Sequence, residues 1–442
     1  MSFLKTREYN GIFPYEDKKM ADHESHILRT VAVASIGGGL ELYDFSIYVF
    51  FAPILAGLFF PQGNSSTAML ETFAIFAVGY FSRPLGGILF GHYGDKIGRR
   101  KGLIYTILLM ALSTACIGLL PTYHSIGILA PLLLVMLRFL QGIAVGGDLP
   151  GAVTFVAEYA SDHRRGLLCG FIYCGVNVGL LLASGIGALL TGLLTHEQLI
   201  AWGWRLGFIL GIAVGAVGFY LRSKLADTPY FNRLEQKKSL LKVPLLQLFG
   251  ESTKPVLQGI GLVWLFAAII AQLFLYMPTY LNTVSQLKLT TALIMNSINI
   301  LLFSICIPLV GHISDKVGRK PIIVGVALLF IVISYPLYTM INMPSLIWQM
   351  IALNCFGLLA AGIVGVMPAT LAELFPTNVR YSGIGVSYNI GFAIFASITP
   401  MVATVLLYHL HAVQVPSYNL IVSAIVALLA AMTLKDRRRL LD

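Results

Sequence analysis

The chain has 442 residues, 57% hydrophobic and 11% charged, with a formal net charge of +10 and a mean hydropathy of +0.81. Soluble domains carry roughly a quarter charged residues, so a soluble globular fold is excluded. The apolar runs are continuous rather than alternating, which excludes a transmembrane β-barrel and leaves an all-α integral membrane protein. Its basic excess reads as membrane topology, not as a nucleic-acid surface.

Residues 1–26 are polar and carry no apolar signal-peptide core, so they are expected to remain a cytoplasmic segment. Apolar segments then follow near 29–59, 68–91, 102–120, 126–149, 166–195 and 203–222. Each is close to or above the roughly 20 residues a bilayer requires. A charged stretch, 223–254, leads to six more near 256–282, 290–312, 321–341, 345–373, 380–408 and 415–434, and residues 435–442 form a tail. The expectation is twelve transmembrane helices in two six-helix bundles, 27–222 and 255–434, joined by a cytoplasmic linker.

Lys and Arg set the orientation. With the N-terminus inside, the expected inner loops and ends hold Lys96, Arg99, Arg100, Lys101, Arg164, Arg165, Lys316, Arg319, Lys320 and Arg437 to Arg439. Among the outer loops, only the one between spans seven and eight holds a basic residue, Lys288. This asymmetry predicts two cytoplasmic termini. The five cysteines, Cys116, Cys169, Cys174, Cys306 and Cys355, all fall in apolar stretches. They match no metal spacing and read as packing residues.

The chain repeats itself. "GHYGDKIGRRK" after span two returns 220 positions later as "GHISDKVGRKP" after span eight, and "AEYASDHRR" after span four returns as "AELFPTNVR" after span ten. Glu158 and Glu373 are 215 positions apart, as are Arg165 and Arg380. Two halves related by a parallel repeat are a transporter architecture with the binding site at the repeat interface.

The loop pattern G-x-x-x-D-[KR]-x-G-R-[KR] resembles the signature of the major facilitator superfamily. Here it is Gly91, Asp95, Lys96, Gly98, Arg99 and Arg100, and again Gly311, Asp315, Lys316, Gly318, Arg319 and Lys320. "ELYDFSIY", "RPLGGILFGHYGD", "RFLQGIAVGGD", "WGWR" and "LADTPYF" resemble the metabolite:H+ symporter family, which includes proline/betaine, α-ketoglutarate, citrate and shikimate permeases. The likeness runs from about residue 27 to the end, with a departure at Asp148, Leu149 and Pro150, where that family carries Glu and then Gly-Gly. It implies the facilitator fold and a gating role for the charged loops. Asp95, Arg99, Glu158, Arg165 and their counterparts Asp315, Arg319, Glu373 and Arg380 would form a latch that breaks as the transporter turns inward.

Charge in the membrane interior is costly, which makes each buried ionisable residue a functional candidate. The first half offers Glu41, Asp44, Arg83, Arg138 and Asp148; the second half places no acid deep in a span. Glu41, Asp44 and Tyr48 share one helix face. Asp44 lies about 22 Å along span one and Arg138 about 18 Å into span four, so both sit near mid-membrane. The expectation is an Asp44–Arg138 pair that opens and closes around a transported proton, with Glu41 and Asp148 as the other candidate proton sites. Symporters of the superfamily resemble this arrangement.

The resemblance also implies a cavity lined by spans one, four, seven and ten, with help from five, eight and eleven. Candidate substrate contacts are Tyr48, Arg138, Gln141, Tyr173, Asn177, Trp264, Gln272, Tyr276, Tyr388 and Asn389. Arg138, Arg83 or Arg205 could grip an organic anion; a zwitterion would add an aromatic face for its cation. The expected function is proton-coupled uptake of a small carboxylate-bearing metabolite by a monomer in a bacterial inner membrane. No cofactor, metal or nucleic acid is expected, and the energy comes from the proton gradient. The alternatives are proton-driven efflux and a non-transporting sensor on a transporter fold. An enzyme is not expected, since no nucleotide loop or nucleophile–base set is present.

Overall fold

A computed structural model of the chain describes residues 31–32, 35–60, 65–97, 99–161, 163–223, 253–376, 379–410 and 413–434. The expected N-terminal segment 1–26, the tail 435–442 and the linker between 224 and 252 lie outside the described residues. Lipid offers the backbone no hydrogen-bond partner, so each span must satisfy its own N–H and C=O groups as a helix. The described residues are helical accordingly, with no strand.

Ten described helices are long and apolar enough to cross a bilayer. In chain order these are α2 (Thr67–Phe90), α4 (Leu129–Thr154), α5 (Arg165–Leu193), α6 (His196–Tyr220), α7 (Thr253–Thr283), α8 (Leu289–Val317), α9 (Arg319–Ile341), α10 (Leu346–Leu374), α11 (Arg380–Leu407) and α12 (Val415–Met432). The first expected span, α1, is a bent pair, Ser35–Phe50 and Ala52–Phe59, meeting at 61°. Pro53, in the first turn of the second segment, explains the break, because it has no N–H for the carbonyl four residues back, on Val49, and its ring would clash with that group in a continuous helix. The third, α3 (Arg99–Leu119), contributes a shorter apolar helix, Ile104–Leu119. Every expected span thus has a described helix in its place; α6 begins at His196 rather than near 203, and the expected start of the first span near 29 lies outside the described residues.

The repeat is visible in the packing. α3 lies against α6 and, in the second half, α9 lies against α12; α2 packs on α4 as α8 packs on α10. Across the halves, α5 runs along α8 and α2 along α11. Arg165 Nε donates to the Ala157 carbonyl oxygen at 3.0 Å, and Arg380 Nε donates to that of Ala372 at 2.8 Å. The same bond thus recurs at the repeat interval.

Small residues allow the helices to approach closely. A Cβ on Gly142 would run into the Gly79 carbonyl, and one on Gly146 into that of Arg83, so α4 and α2 touch backbone to backbone. Such contacts replace the hydrophobic drive that lipid removes. Replacing Gly146 by Ala is expected to cost about 1–3 kcal/mol through overpacking and to lower the thermal unfolding midpoint in detergent by several degrees. Gly185→Ala, where a Cβ meets nothing within 4 Å, should leave that midpoint in place.

Candidate functional site: a charged aromatic cavity between the halves

Both halves line one cavity. The first half supplies Glu41 and Phe45 from α1, Tyr80 and Arg83 from α2, Leu149 from α4, and Tyr173 and Asn177 from α5; the second supplies Phe266 and Ile270 from α7 and Tyr388 and Phe392 from α11. Four of these pairs are one helical turn apart at an interval of four, so each helix turns a single face to the space. The two chargeable walls are Glu41, 4% exposed, and Arg83, 3% exposed. The Arg83 guanidinium lies 4.1 Å from the Tyr80 ring centroid, 4.7 Å from that of Phe45 and 5.6 Å from that of Phe392. Cation–π contact of this kind holds a buried guanidinium without neutralising its charge.

Five of the sequence candidates stand on this wall: Glu41, Arg83, Tyr173, Asn177 and Tyr388. Tyr173 and Tyr388, 215 positions apart, meet across the two halves and share Phe266 as a ring neighbour, with centroids at 5.6 and 6.0 Å. The helices α8 and α10 contribute nothing to the lining, whereas α2, which the family pattern left out, contributes Tyr80 and Arg83. The aromatic members Phe45, Tyr80, Phe266 and Phe392 were not among the expected contacts. Their signal was present as turn-spaced partners of Glu41, Arg83, Ile270 and Tyr388, but phenylalanine is too common in lipid-facing spans for that spacing to single them out.

The other expected contacts serve packing. The Tyr48 hydroxyl donates to the Thr72 carbonyl oxygen at 3.0 Å. Trp264 stacks on Phe395 with centroids 3.8 Å apart. Inside the second half, Gln272 donates to the Tyr338 hydroxyl at 2.9 Å and accepts from Asn419 at 2.8 Å. Tyr276 meets Phe73 edge-on at 5.4 Å, and Asn389 donates to the Gly146 carbonyl oxygen at 2.9 Å; both contacts tie the halves together. Arg205 donates to the Leu120 carbonyl oxygen at 3.1 Å, away from the cavity. Asp148 is buried in the first turn of the second helical segment of α4.

The expected Asp44–Arg138 pair is not formed. Arg138 Nη1 donates to Gln141 Oε1 at 2.8 Å and to the Phe45 carbonyl oxygen at 3.2 Å. Its guanidinium covers the rings of Phe45, Tyr48 and Phe76 at 4.3, 4.4 and 5.4 Å. Asp44 instead faces Thr114 on α3 and Gly211 on α6. The reason is helical geometry. Neighbouring residues point about 100° apart, so when Phe45 faces Arg138, Asp44 turns toward α3 and α6.

At the end of the bundle that carries the repeated loops, the halves are latched. Asp315 accepts from the backbone N–H of Gly166 at 2.8 Å and of Leu167 at 3.0 Å, capping the first turn of α5, where a carboxylate is favoured. Arg319 Nη2 donates to Asp315 at 2.7 Å and to Glu373 at 3.2 Å. Arg165 reaches Glu373 at 3.5 Å. Gly166 and Gly311 allow this approach, since a Cβ on either would run into the carbonyl of the other. Among the expected gating residues, Arg165, Asp315, Arg319 and Glu373 therefore meet across the halves, and Arg380 donates to the Ala372 carbonyl oxygen. The side chains of Asp95, Arg99 and Glu158 lie outside the described residues.

Cys169 is buried and sits under Arg319, Arg165, Glu373 and Asp315. Asp315→Asn is expected to weaken the latch by roughly 1–2 kcal/mol, a factor of about 5–30 in the opened population. Maleimide labelling of Cys169 should rise by that factor, read by mass spectrometry, while Cys116 on α3 keeps its rate.

Comparison with known proteins agrees with this architecture. The family model described as Major Facilitator Superfamily matches residues 34–400. A glycine betaine/proline/ectoine/pipecolic acid transporter of Dickeya dadantii is 36% identical over 425 residues, covering 93% of this chain and 84% of that protein. The proline/betaine transporter of Escherichia coli K12 is 35% identical over 430 residues, with 93% and 84% covered. Among solved structures, the partially occluded, inward-open xylose transporter of E. coli superposes with a TM-score of 0.74 at 20% identity, covering 94% of this chain and 99% of that one. A D-xylose–proton symporter gives 0.72 at 21% identity, covering 92% and 96%; at such identities the likeness establishes the fold. With twelve helices in two repeated halves and a family match over most of its length, the chain belongs to the major facilitator superfamily and is a membrane transporter, not an enzyme.

Proposed function

We propose that the protein is a proton-coupled symporter that imports a small zwitterion of the proline or betaine class. The observation that carries this reading is the cavity wall, which sets one guanidinium and one carboxyl among aromatic faces. Arg83 offers a fork to a carboxylate. Glu41 and the rings of Tyr173, Phe266 and Tyr388 offer a site for an ammonium group, quaternary or secondary. A di- or tricarboxylate would leave one or more of its charges facing Glu41 or bare aromatic rings, so the organic-acid branch of the expectation fits less well. The transport names of the relatives from D. dadantii and E. coli support the same class.

Proton coupling in this reading rests on the buried carboxyls of the first half, with Asp44 as carrier and Glu41 at the substrate. The latch supports alternating access in this reading, because it joins the halves through hydrogen bonds and ion pairs that can break and re-form. The basic loops favour a cytoplasmic latch and two cytoplasmic termini in a bacterial inner membrane. The working unit is read as a monomer, since one chain encloses the whole cavity.

Uptake into proteoliposomes under an inward proton gradient tests the proposal, with glycine betaine, proline, citrate, α-ketoglutarate and shikimate as the panel. Betaine or proline is expected to accumulate, and a protonophore should abolish the accumulation. Arg83→Lys and Glu41→Gln should each raise KM about tenfold or more, the equivalent of about 1.4 kcal/mol of lost recognition. Accumulation of citrate alone would reassign the substrate class. Loss of preloaded solute on acidifying the outside would reverse the direction to efflux.

A further inference from the structure

The Thr114 hydroxyl on α3 stands where α1, α3, α4 and α6 meet. Gln141 Nε2 donates to it at 2.8 Å, and it donates to the Met110 carbonyl oxygen at 2.9 Å. The Asp44 carboxyl faces it. On α6, Gly211 leaves the necessary room: a Cβ there would lie 2.5 Å from Asp44 Oδ1 and 2.9 Å from Thr114 Cγ2. At its other end Gln141 accepts from Arg138 Nη1 at 2.8 Å. The guanidinium that was expected to touch Asp44 therefore reaches toward it through an amide and a hydroxyl.

The direction of these bonds matters. Arg138 donates to the Gln141 oxygen, and the Gln141 nitrogen donates to the Thr114 oxygen, so both donors point toward Asp44. Aligned hydrogen bonds polarise one another in a low-dielectric interior. A hydroxyl has one proton and two lone pairs, and Gln141 occupies one lone pair. The single Thr114 proton is held by the Met110 carbonyl, and the facing Asp44 Oδ1 has no hydrogen-bond partner among the described residues.

We propose that Thr114 and Gln141 are positioning residues that couple the protonation of Asp44 to Arg138. When Asp44 is ionised, the Thr114 proton turns to it and the donor chain runs unbroken from guanidinium to carboxylate. When Asp44 binds a proton, its own O–H donates to the second lone pair of Thr114, the Thr114 proton stays on Met110, and the chain is interrupted at its last link. The signal has a route to the cavity. Arg138 also holds the Phe45 carbonyl, and the Phe45 ring lies between Arg138 at 4.3 Å and the cavity guanidinium Arg83 at 4.7 Å. Glu41 lies one turn before Asp44 on the same helix. Tyr43 on its own helix donates to the Gly207 carbonyl oxygen at 2.7 Å, Arg138 is the charged group on α4, and α3 and α6 present Thr114 and Gly211.

This inference rests on the reading of Asp44 as the proton carrier, and the test separates the two. Thr114→Val, Thr114→Ser, Gln141→Leu and Asp44→Asn are compared in proteoliposomes with labelled proline and betaine, by gradient-driven accumulation and by exchange without a gradient. Thr114→Val and Gln141→Leu are expected to lose accumulation about tenfold or more, the loss of one hydrogen bond to a charged group, with exchange held within about twofold and Thr114→Ser close to the unaltered protein. Normal accumulation in Thr114→Val and Gln141→Leu, with Asp44→Asn defective, would overturn the relay and leave the proton site standing. Equal loss of exchange and accumulation would overturn it too, by reducing both residues to a structural role. Normal accumulation in Asp44→Asn would remove the proton site and the relay together.

Discussion

A bilayer interior will neither hydrogen-bond a backbone nor solvate a charge, and the rest of this structure answers those two refusals. The first requires every span to be a helix. It also removes the hydrophobic force that would press helices together, which is why α2 and α4 meet through Gly79, Gly142 and Gly146 with no large side chain between them. The second refusal confines the deep charges to the first half, where each has a purpose-built surrounding. Arg83 and Arg138 are both embedded in rings, and the Phe45 ring is shared between them.

The two halves repeat in fold but not in chemistry. Where the first half carries Glu41, Asp44, Arg83 and Arg138 in its interior, the second half carries neutral networks, such as Gln272 with Tyr338 and Asn419. A neutral amide network costs less to bury than an unpaired ion, and it changes little with pH. The second half thus provides aromatic surface and rigidity at the cavity, while the groups that can exchange a proton lie on the other side. This division gives a symmetric scaffold a functional polarity.

The cavity and the latch are linked by the same helices. α5 begins at the latch, where Asp315 caps its first turn, and two turns later presents Tyr173 to the cavity. α11 begins at Arg380 and presents Tyr388 at the matching depth. Tyr173 meets Tyr388 across the halves as Gly166 meets Gly311 at the latch, so both contacts lie on the boundary between the halves. The wider π-type turns at Ile270–Tyr276 in α7 and Phe392–Ala396 in α11 begin at cavity-lining residues; π-type turns are found where helices serve function.

Much of this was legible in the chain alone. Length and hydropathy determine the class and the number of spans, since the bilayer sets a fixed thickness. The paired loops determine the two-half repeat and mark Asp315, Arg319, Glu373 and Arg165 as gating candidates, because similar motifs 215 and 220 positions apart imply equivalent places in the two halves. Glu41, Tyr173, Asn177 and Tyr388 were likewise identifiable as polar groups in apolar helices. What the sequence could not determine is rotation about each helix axis. Asp44 and Phe45 are neighbours in the chain, and only packing decides that Phe45 meets Arg138 while Asp44 meets Thr114. The same freedom hid Tyr80, Phe266 and Phe392 from the cavity and placed Trp264 and Gln272 outside it. An apolar span looks alike from every side when lipid and protein core are equally oily, so the periodicity that orients a helix in a soluble protein is weak here, and the tertiary contacts alone choose which face looks inward.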